Sequence, residues 1–208
     1  MQARHDTATL ALDLPPASRD SRRRQVGPIE LRDAAVQQFN ALLAQIAPNA
    51  PRVSADQLVT LARWLQDQPR DHAVAILSER LARAEHLRRM LNDSDWDTCV
   101  DTRERARMLI SYLQQVDDLI PDTQPLLGQL DDALLVELAW PAFADETTDY
   151  GDFCRFRADE RPRGTPRERR LAWETACLAE VALLQQRRQV RARHYIGGEP
   201  LQALFRVG

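Results

Sequence analysis

Two prolines and a glycine decide how the middle of this 208-residue chain can fold. Apolar residues recur at helical spacing from Ala106 to Leu138, but Pro121, Pro125 and Gly128 interrupt them inside DDLIPDTQPLLGQLDD, Asp117 to Asp132. Proline has no amide hydrogen to donate and disfavours helical geometry at the residue before it, here Ile120. A single continuous helix is therefore excluded. The stretch predicts a helix, a tight apolar corner and a second helix folding back as an antiparallel hairpin. Asp131 and Asp132 then fall in the first turn of the returning helix, where the dipole favours negative charge by roughly 0.3–1 kcal/mol each. Asp118 or Asp122 can cap amides in the corner.

Other helices flank this hairpin. Leu31, Ala35, Phe39, Leu42 and Ile46 share one helical face, ended by Pro48 and Pro51. Ser54 and Gln57 form a capping box, with Val53 and Leu58 as its hydrophobic staple, and Leu61, Ala62 and Leu65 continue the apolar face. Val74, Leu77, Leu81, Ala84 and Leu91 predict a longer helix that fades near Asn92. A further one opens at Asp101 or Thr102, with Ala106, Leu109, Ile110, Leu113 and Val116 inward. The returning helix, roughly Gln129 to Ala144, carries Leu130, Leu134, Leu135 and Leu138. ADETTDYGDF and RFRADERPRG read as loops. Thr165, Pro166 and Glu168 mark a second capping box, and that last helix runs to about Tyr195, before Gly197 and Gly198.

The fold class expected is all-α: one domain of about six helices built around the hairpin at about 109–140. Residues 1–28 form an N-terminal arm, with Thr7 to Pro15 strand-like and Pro15 to Pro28 a flexible basic linker, and residues 197–208 form an apolar tail. Trp64, Trp96, Trp140 and Trp173 are expected as core or hairpin anchors.

A net charge of −3 points to neither nucleic acid nor membrane, but its distribution is uneven. Asn92 to Asp152 holds fifteen acids against three arginines, and Arg155 to Arg193 holds eleven arginines against five acids. Every basic residue is arginine, whose planar fork pairs readily with carboxylates. Arg163, Arg167, Arg170, Arg188 and Arg191 are the candidate anion-binding residues, although the few aromatics among them disfavour nucleic acid. Cys99, Cys154 and Cys177 follow no zinc or disulfide spacing, which predicts a reducing, cytoplasmic setting. No apolar run approaches the length of a membrane span, so the chain is expected to be soluble, with peripheral membrane contact left open.

The order Asp118, Leu119, Ile120, Pro121, Asp122, then Pro125, Gly128, Asp131 and Asp132 resembles the signature of the YkvA-like proteins, a family of unknown function. The likeness covers about thirty residues, from Leu109 to Trp140. It implies an α-helical hairpin core and supplies no catalytic residue. Val116, Asp117, Thr123, Gln124 and Gln129 are more polar than, or otherwise depart from, the residues usual in that family, which argues against a membrane-inserted role.

Two functions follow as expectations. The first is a non-catalytic interaction or regulatory protein with a protein partner, or with a second copy of the chain, since no nucleophile, base and orienting group converge in the sequence. His5, His72, His86 and His194 are scattered, and there is neither a P-loop nor a GxGxxG. The alternative is a divalent-metal-dependent phosphoester hydrolase. In it Asp118, Asp122, Asp131 and Asp132 would offer oxygen ligands to Mg²⁺ or Ca²⁺ across the closed hairpin.

Overall fold

The computed structural model describes residues 12–16, 23–26, 29–115, 119–121 and 123–196, with side chains described as far as 191. These residues hold a two-strand hairpin and seven α-helices, so the all-α class holds. The helices are α1 (Asp33–Ile46), α2 (Ala55–Gln66), α3 (Arg70–Asn92), α4 (Val100–Tyr112), α5 (Leu130–Ala139), α6 (Ala144–Glu160) and α7 (Pro166–Ile196). They fall into two compact units, Met1–Gly151 and Asp152–Gly208, with the division inside α6.

The first unit is organised around α5. Its residues Leu130 to Val136 are buried without a break, and it packs most extensively on α3, with further contacts to α1 and α4. A helix buried on all sides has to lie inside other elements, and ten residues could not hold a helix alone in water. Phe39, Leu43 and Ile46 of α1, Leu58 and Leu65 of α2, and Ile76, Leu77 and Leu87 of α3 complete the core. Phe39 meets Tyr112 of α4 edge to face, with ring centres 5.9 Å apart.

The capping box of α2 forms as expected. The Gln57 amide N–H bonds Ser54 Oγ at 3.3 Å, and the Ser54 amide N–H donates to Gln57 Oε1 at 2.9 Å. The same Gln57 side chain donates from Nε2 to the Pro15 carbonyl at 2.6 Å, and this joins the start of α2 to the N-terminal arm. Leu12 is buried, and Arg23 Nε meets Asp56 Oδ1 at 2.7 Å. The arm's strands also lie elsewhere than the sequence predicts. Gln25–Val26 (β1), inside the stretch read as a linker, pairs antiparallel with Ile29–Glu30 (β2) just beyond it, while residues 12–16 form no strand. Thr7 to Ala11 lie outside the described residues. Trp64, expected as an anchor, is exposed and lines a shallow cavity with Asp13, Pro15, Thr60 and Leu61.

Two helical readings are corrected. The buried face of α3 runs through Ala73, Ile76, Leu77, Arg80, Ala84, Leu87 and Met90, which leaves Val74 47% exposed. A buried arginine on that face turns the apparent register by about one residue. ADETTDYGDF is not a loop: it forms most of α6, whose Thr147, Tyr150 and Phe153 are buried at helical spacing. Thr147 satisfies its hydroxyl by donating to the Phe143 carbonyl at 2.9 Å, which lets a polar residue occupy an inward position. RFRADERPRG divides, its first part completing α6 and Arg161 to Gly164 forming the turn.

In the second unit, Phe153 and Trp173 pack edge to face at 5.9 Å, and the Arg157 guanidinium lies 5.2 Å from the Phe153 ring centre. α7 starts at the predicted capping box, where the Thr165 amide N–H donates to Glu168 Oε2 at 2.7 Å and the Glu168 amide N–H to Thr165 Oγ1 at 3.3 Å. Gly164 precedes it at φ +109°, and a Cβ there would lie 2.6 Å from Glu168 Oε2. Hydrogen bonds from the Thr165 backbone, then its side chain, hold the Glu168 carboxyl below its ordinary value of 4.5. A depressed carboxyl stabilises the folded state above its unfolded pKa and loses that contribution as pH falls through the folded value. Acidification below 4.5 should therefore loosen the first turn of α7, seen as lower protection of the Glu168 and Arg169 amides from exchange relative to free peptide at the same pH. Protection there that stays unchanged on acidification would contradict the box.

Candidate functional site

α4 ends at Tyr112, and the chain then turns through a corner held by short-range hydrogen bonds. Gln124 N–H donates to the Pro121 carbonyl at 3.0 Å, Leu127 N–H to Pro125 at 2.8 Å and Gly128 N–H to Gln124 at 3.0 Å. Leu119, Ile120 and Leu127 are buried beneath these turns. Leu126, at φ 68° and ψ −49°, is the centre of a γ-turn closed by the Leu127 to Pro125 bond, a strained geometry that costs roughly 1–3 kcal/mol and persists because the flanking turns impose it. A single 3-10 turn, Leu127–Gln129, leads into α5.

Asp131 is 0% exposed and fastens three parts of this corner together. Its Oδ2 accepts the Tyr112 hydroxyl at 2.8 Å and the Ile120 amide at 3.3 Å, so the end of α4, the corner and the first turn of α5 meet on one carboxylate. Its neighbour Asp132 has a different setting. Successive helical residues point about 100° apart, so an adjacent pair cannot converge on a single small ligand from one helix face. Asp132 lines a cavity of about 390 Å³ with Leu81, Ala84, Glu85, Arg88, Leu113 and Gln129. The pairing that is puzzling in the sequence thus separates into an inward carboxylate and one at the cleft.

Glu85 and Arg88, themselves paired at 2.7 Å, also border a second cavity of about 350 Å³ with Arg89, Asn92, Asp93 and Tyr150. Beside it, Tyr150 donates to Asp93 Oδ2 at 3.1 Å and packs on His86 and Trp96, while Trp96 Nε1 donates to Glu146 Oε1 at 2.9 Å. This outer face of α3 can hydrogen-bond a polar or charged group. Its described side chains do not set a nucleophile beside a base.

The remaining candidates disperse. Asp118 and Asp122 lie outside the described residues, and among the described residues no three His, Cys, Asp or Glu side chains gather as a metal site. His72 is exposed. Of the anion-binding candidates, Arg163, Arg167, Arg188 and Arg191 are exposed, and Arg170 pairs with Glu174 at 3.2 Å. The eighteen residues from Arg170 to Arg188 separate the two groups by about 27 Å of helix, so they do not form one pocket.

Sequence reasoning missed two features. Arg80, 1% exposed, donates from Nε to Glu137 Oε2 at 2.9 Å, and from Nη1 to Glu79 Oε2 and the Ile76 carbonyl, both at 3.1 Å. Arg83 shares Glu137 at 3.0 Å and lies 5.5 Å from the Trp140 ring centre. An arginine within an apolar periodicity gives no sequence sign that it is buried. The second feature is α7, whose residues Glu174 to Arg191 are all exposed even though they include Leu178, Val181, Leu183 and Leu184. Its apolar residues were visible in the sequence, but not that they would face outward.

Among the described residues, no helix is long and apolar enough to cross a membrane. No protein-family model, curated protein or solved structure matches the chain.

Proposed function

We propose that this is a cytoplasmic, non-catalytic interaction protein whose docking element is α7, carried on a YkvA-like helical hairpin body. The observation behind this reading is the exposure of Glu174 to Arg191 with four large aliphatic side chains among them. Most helix stability in proteins comes from packing an apolar face, and large apolar side chains grouped on a surface mark binding sites. The arginines Arg187, Arg188 and Arg191 beside these leucines add charge that selects a partner. Cys99, Cys154 and Cys177, none in a disulfide, suit a reducing compartment.

The hydrolase reading draws no support from the described residues, because Asp131 is committed to Tyr112 and Ile120. Affinity capture from native lysate with the full chain and with a Leu178→Arg, Leu184→Arg variant tests the docking role. The native chain should retain a partner that the variant loses. Capture of nothing, or equal capture by both, would remove α7 from this role.

A further inference from the structure

α7 also carries a regularity that identifies its occupant. Leu171, Thr175, Leu178, Ala182, Gln185 and Gln189 follow one another at alternating steps of four and three residues, the spacing of a coiled-coil seam. All six are exposed, and Leu178 and Leu171, at 72% and 60%, are among the most exposed large aliphatic side chains described. The seam runs for about 27 Å at 1.5 Å per residue. Immediately before three of its positions stand Glu174, Val181 and Arg188, seven residues apart along one edge of the seam.

That edge complements itself when the helix is reversed. With the two-fold axis level with Glu180, Glu174 and Arg188 of the other copy lie two residues, about 3 Å, apart along the axis, and because helical side chains lean toward their own N-terminus the two lean toward each other. The seam layers then set Leu178 against Ala182, Thr175 against Gln185 and Leu171 against Gln189. Leu178 therefore meets a small partner, the Thr175 hydroxyl meets an amide, and Leu171 lies against the aliphatic stem of Gln189. A parallel pair would place Arg188 beside Arg193 and Glu174 beside Ala179, one repulsion and no attraction. Edge charges of this kind set partner and orientation in coiled coils. We infer that α7 is the interface of an antiparallel homodimer, with Glu174 and Arg188 forming its two reciprocal ion pairs. This inference rests on the reading of α7 as the docking element and names a second copy as its partner; of the aliphatic side chains behind that reading it uses Leu178 in the seam and Val181 on its edge, and leaves Leu183 and Leu184 outside.

Within one chain Glu174 already meets Arg170, an exposed i,i+4 pair of the kind that contributes little, so it can share its carboxylate across the dimer. The test is the molar mass of the full chain by sedimentation equilibrium across a wide concentration range. The mass should rise toward twice 23.8 kDa. Arg188→Glu turns two attractive contacts into two repulsive ones and should weaken the dimer about tenfold. Leu178→Arg should abolish it. The doubly reversed Glu174→Arg, Arg188→Glu chain should regain the native dissociation constant, an outcome that mere loss of folding could not produce. These positions are exposed, so all the variants should melt as the native monomer does.

A native chain that stays at 23.8 kDa throughout overturns the inference, as does a dimer indifferent to Leu178→Arg and Arg188→Glu. Failure of the double reversal to restore what the single reversal loses overturns the antiparallel pairing. A monomer that still captures a different protein through α7 removes the second copy as partner and leaves the docking reading standing. A monomer that captures nothing removes both.

Discussion

Replacing Asp131 with alanine should lower the unfolding free energy by about 3–5 kcal/mol, because the Tyr112 hydroxyl and the Ile120 amide both lose their acceptor and a buried donor left unsatisfied costs about 1–3 kcal/mol. Both donors stay behind in the core: Tyr112 is buried and Ile120 fully so, and neither can turn to water without opening the corner. For a chain of this size the change lowers the melting temperature by roughly 6–20 °C. Tyr112→Phe removes one of the two bonds and costs less, about 1–3 kcal/mol. Urea unfolding followed by near-ultraviolet circular dichroism measures both. An Asp131→Ala chain within about 1 kcal/mol of native would show that the corner is held by its apolar residues alone.

The second large effect lies in the ion network between α3 and α5. Glu137→Ala should cost about 2–4 kcal/mol, below the usual range for breaking a buried pair because Glu137 retains some exposure. It takes one of the carboxylates from the buried guanidinium of Arg80, leaving it Glu79 and the Ile76 carbonyl, and removes a contact of Arg83. The double change Arg80→Met, Glu137→Leu takes both charges out of the interface and should recover most of that loss, since apolar replacement of a whole buried pair is often neutral. The two substitutions would then be strongly non-additive. Costs that simply add would mean that Arg80 and Glu137 act independently, despite the 2.9 Å between them.

Local chemistry made part of this fold legible in the sequence. Both capping boxes form where Ser54, Gln57, Thr165 and Glu168 place them, because a cap depends only on residues three apart. The interruption between α4 and α5 also falls where the sequence places it, but α4 ends at Tyr112, earlier than the expected end near Asp117 and nine residues before Pro121, while Val116 and Asp117 lie outside the described residues. What failed depended on neighbours remote in sequence. α6 was obscured by acids and a glycine, yet Tyr150 and Phe153 fix its inward face. Val74 appeared to be core until Arg80 took the central position on α3. Asp131 read as a helix-dipole residue or a metal ligand, and only the positions of Tyr112 and Ile120 give it a structural task. The arm was read as a loose linker because its anchors, Asp56 and Gln57, lie more than thirty residues further on.

The enclosure of α5 also sets a timetable for synthesis. Translation proceeds from the N-terminus at about 5–20 residues per second, and domains close as units. The inner faces of α1, α3 and α4 are complete long before Leu130 to Ala139 emerge to fill the space between them. Until then those faces have no permanent neighbour. The ribosome must therefore finish about two thirds of the chain before α5 can take its place, and the corner pinned by Asp131 closes only then.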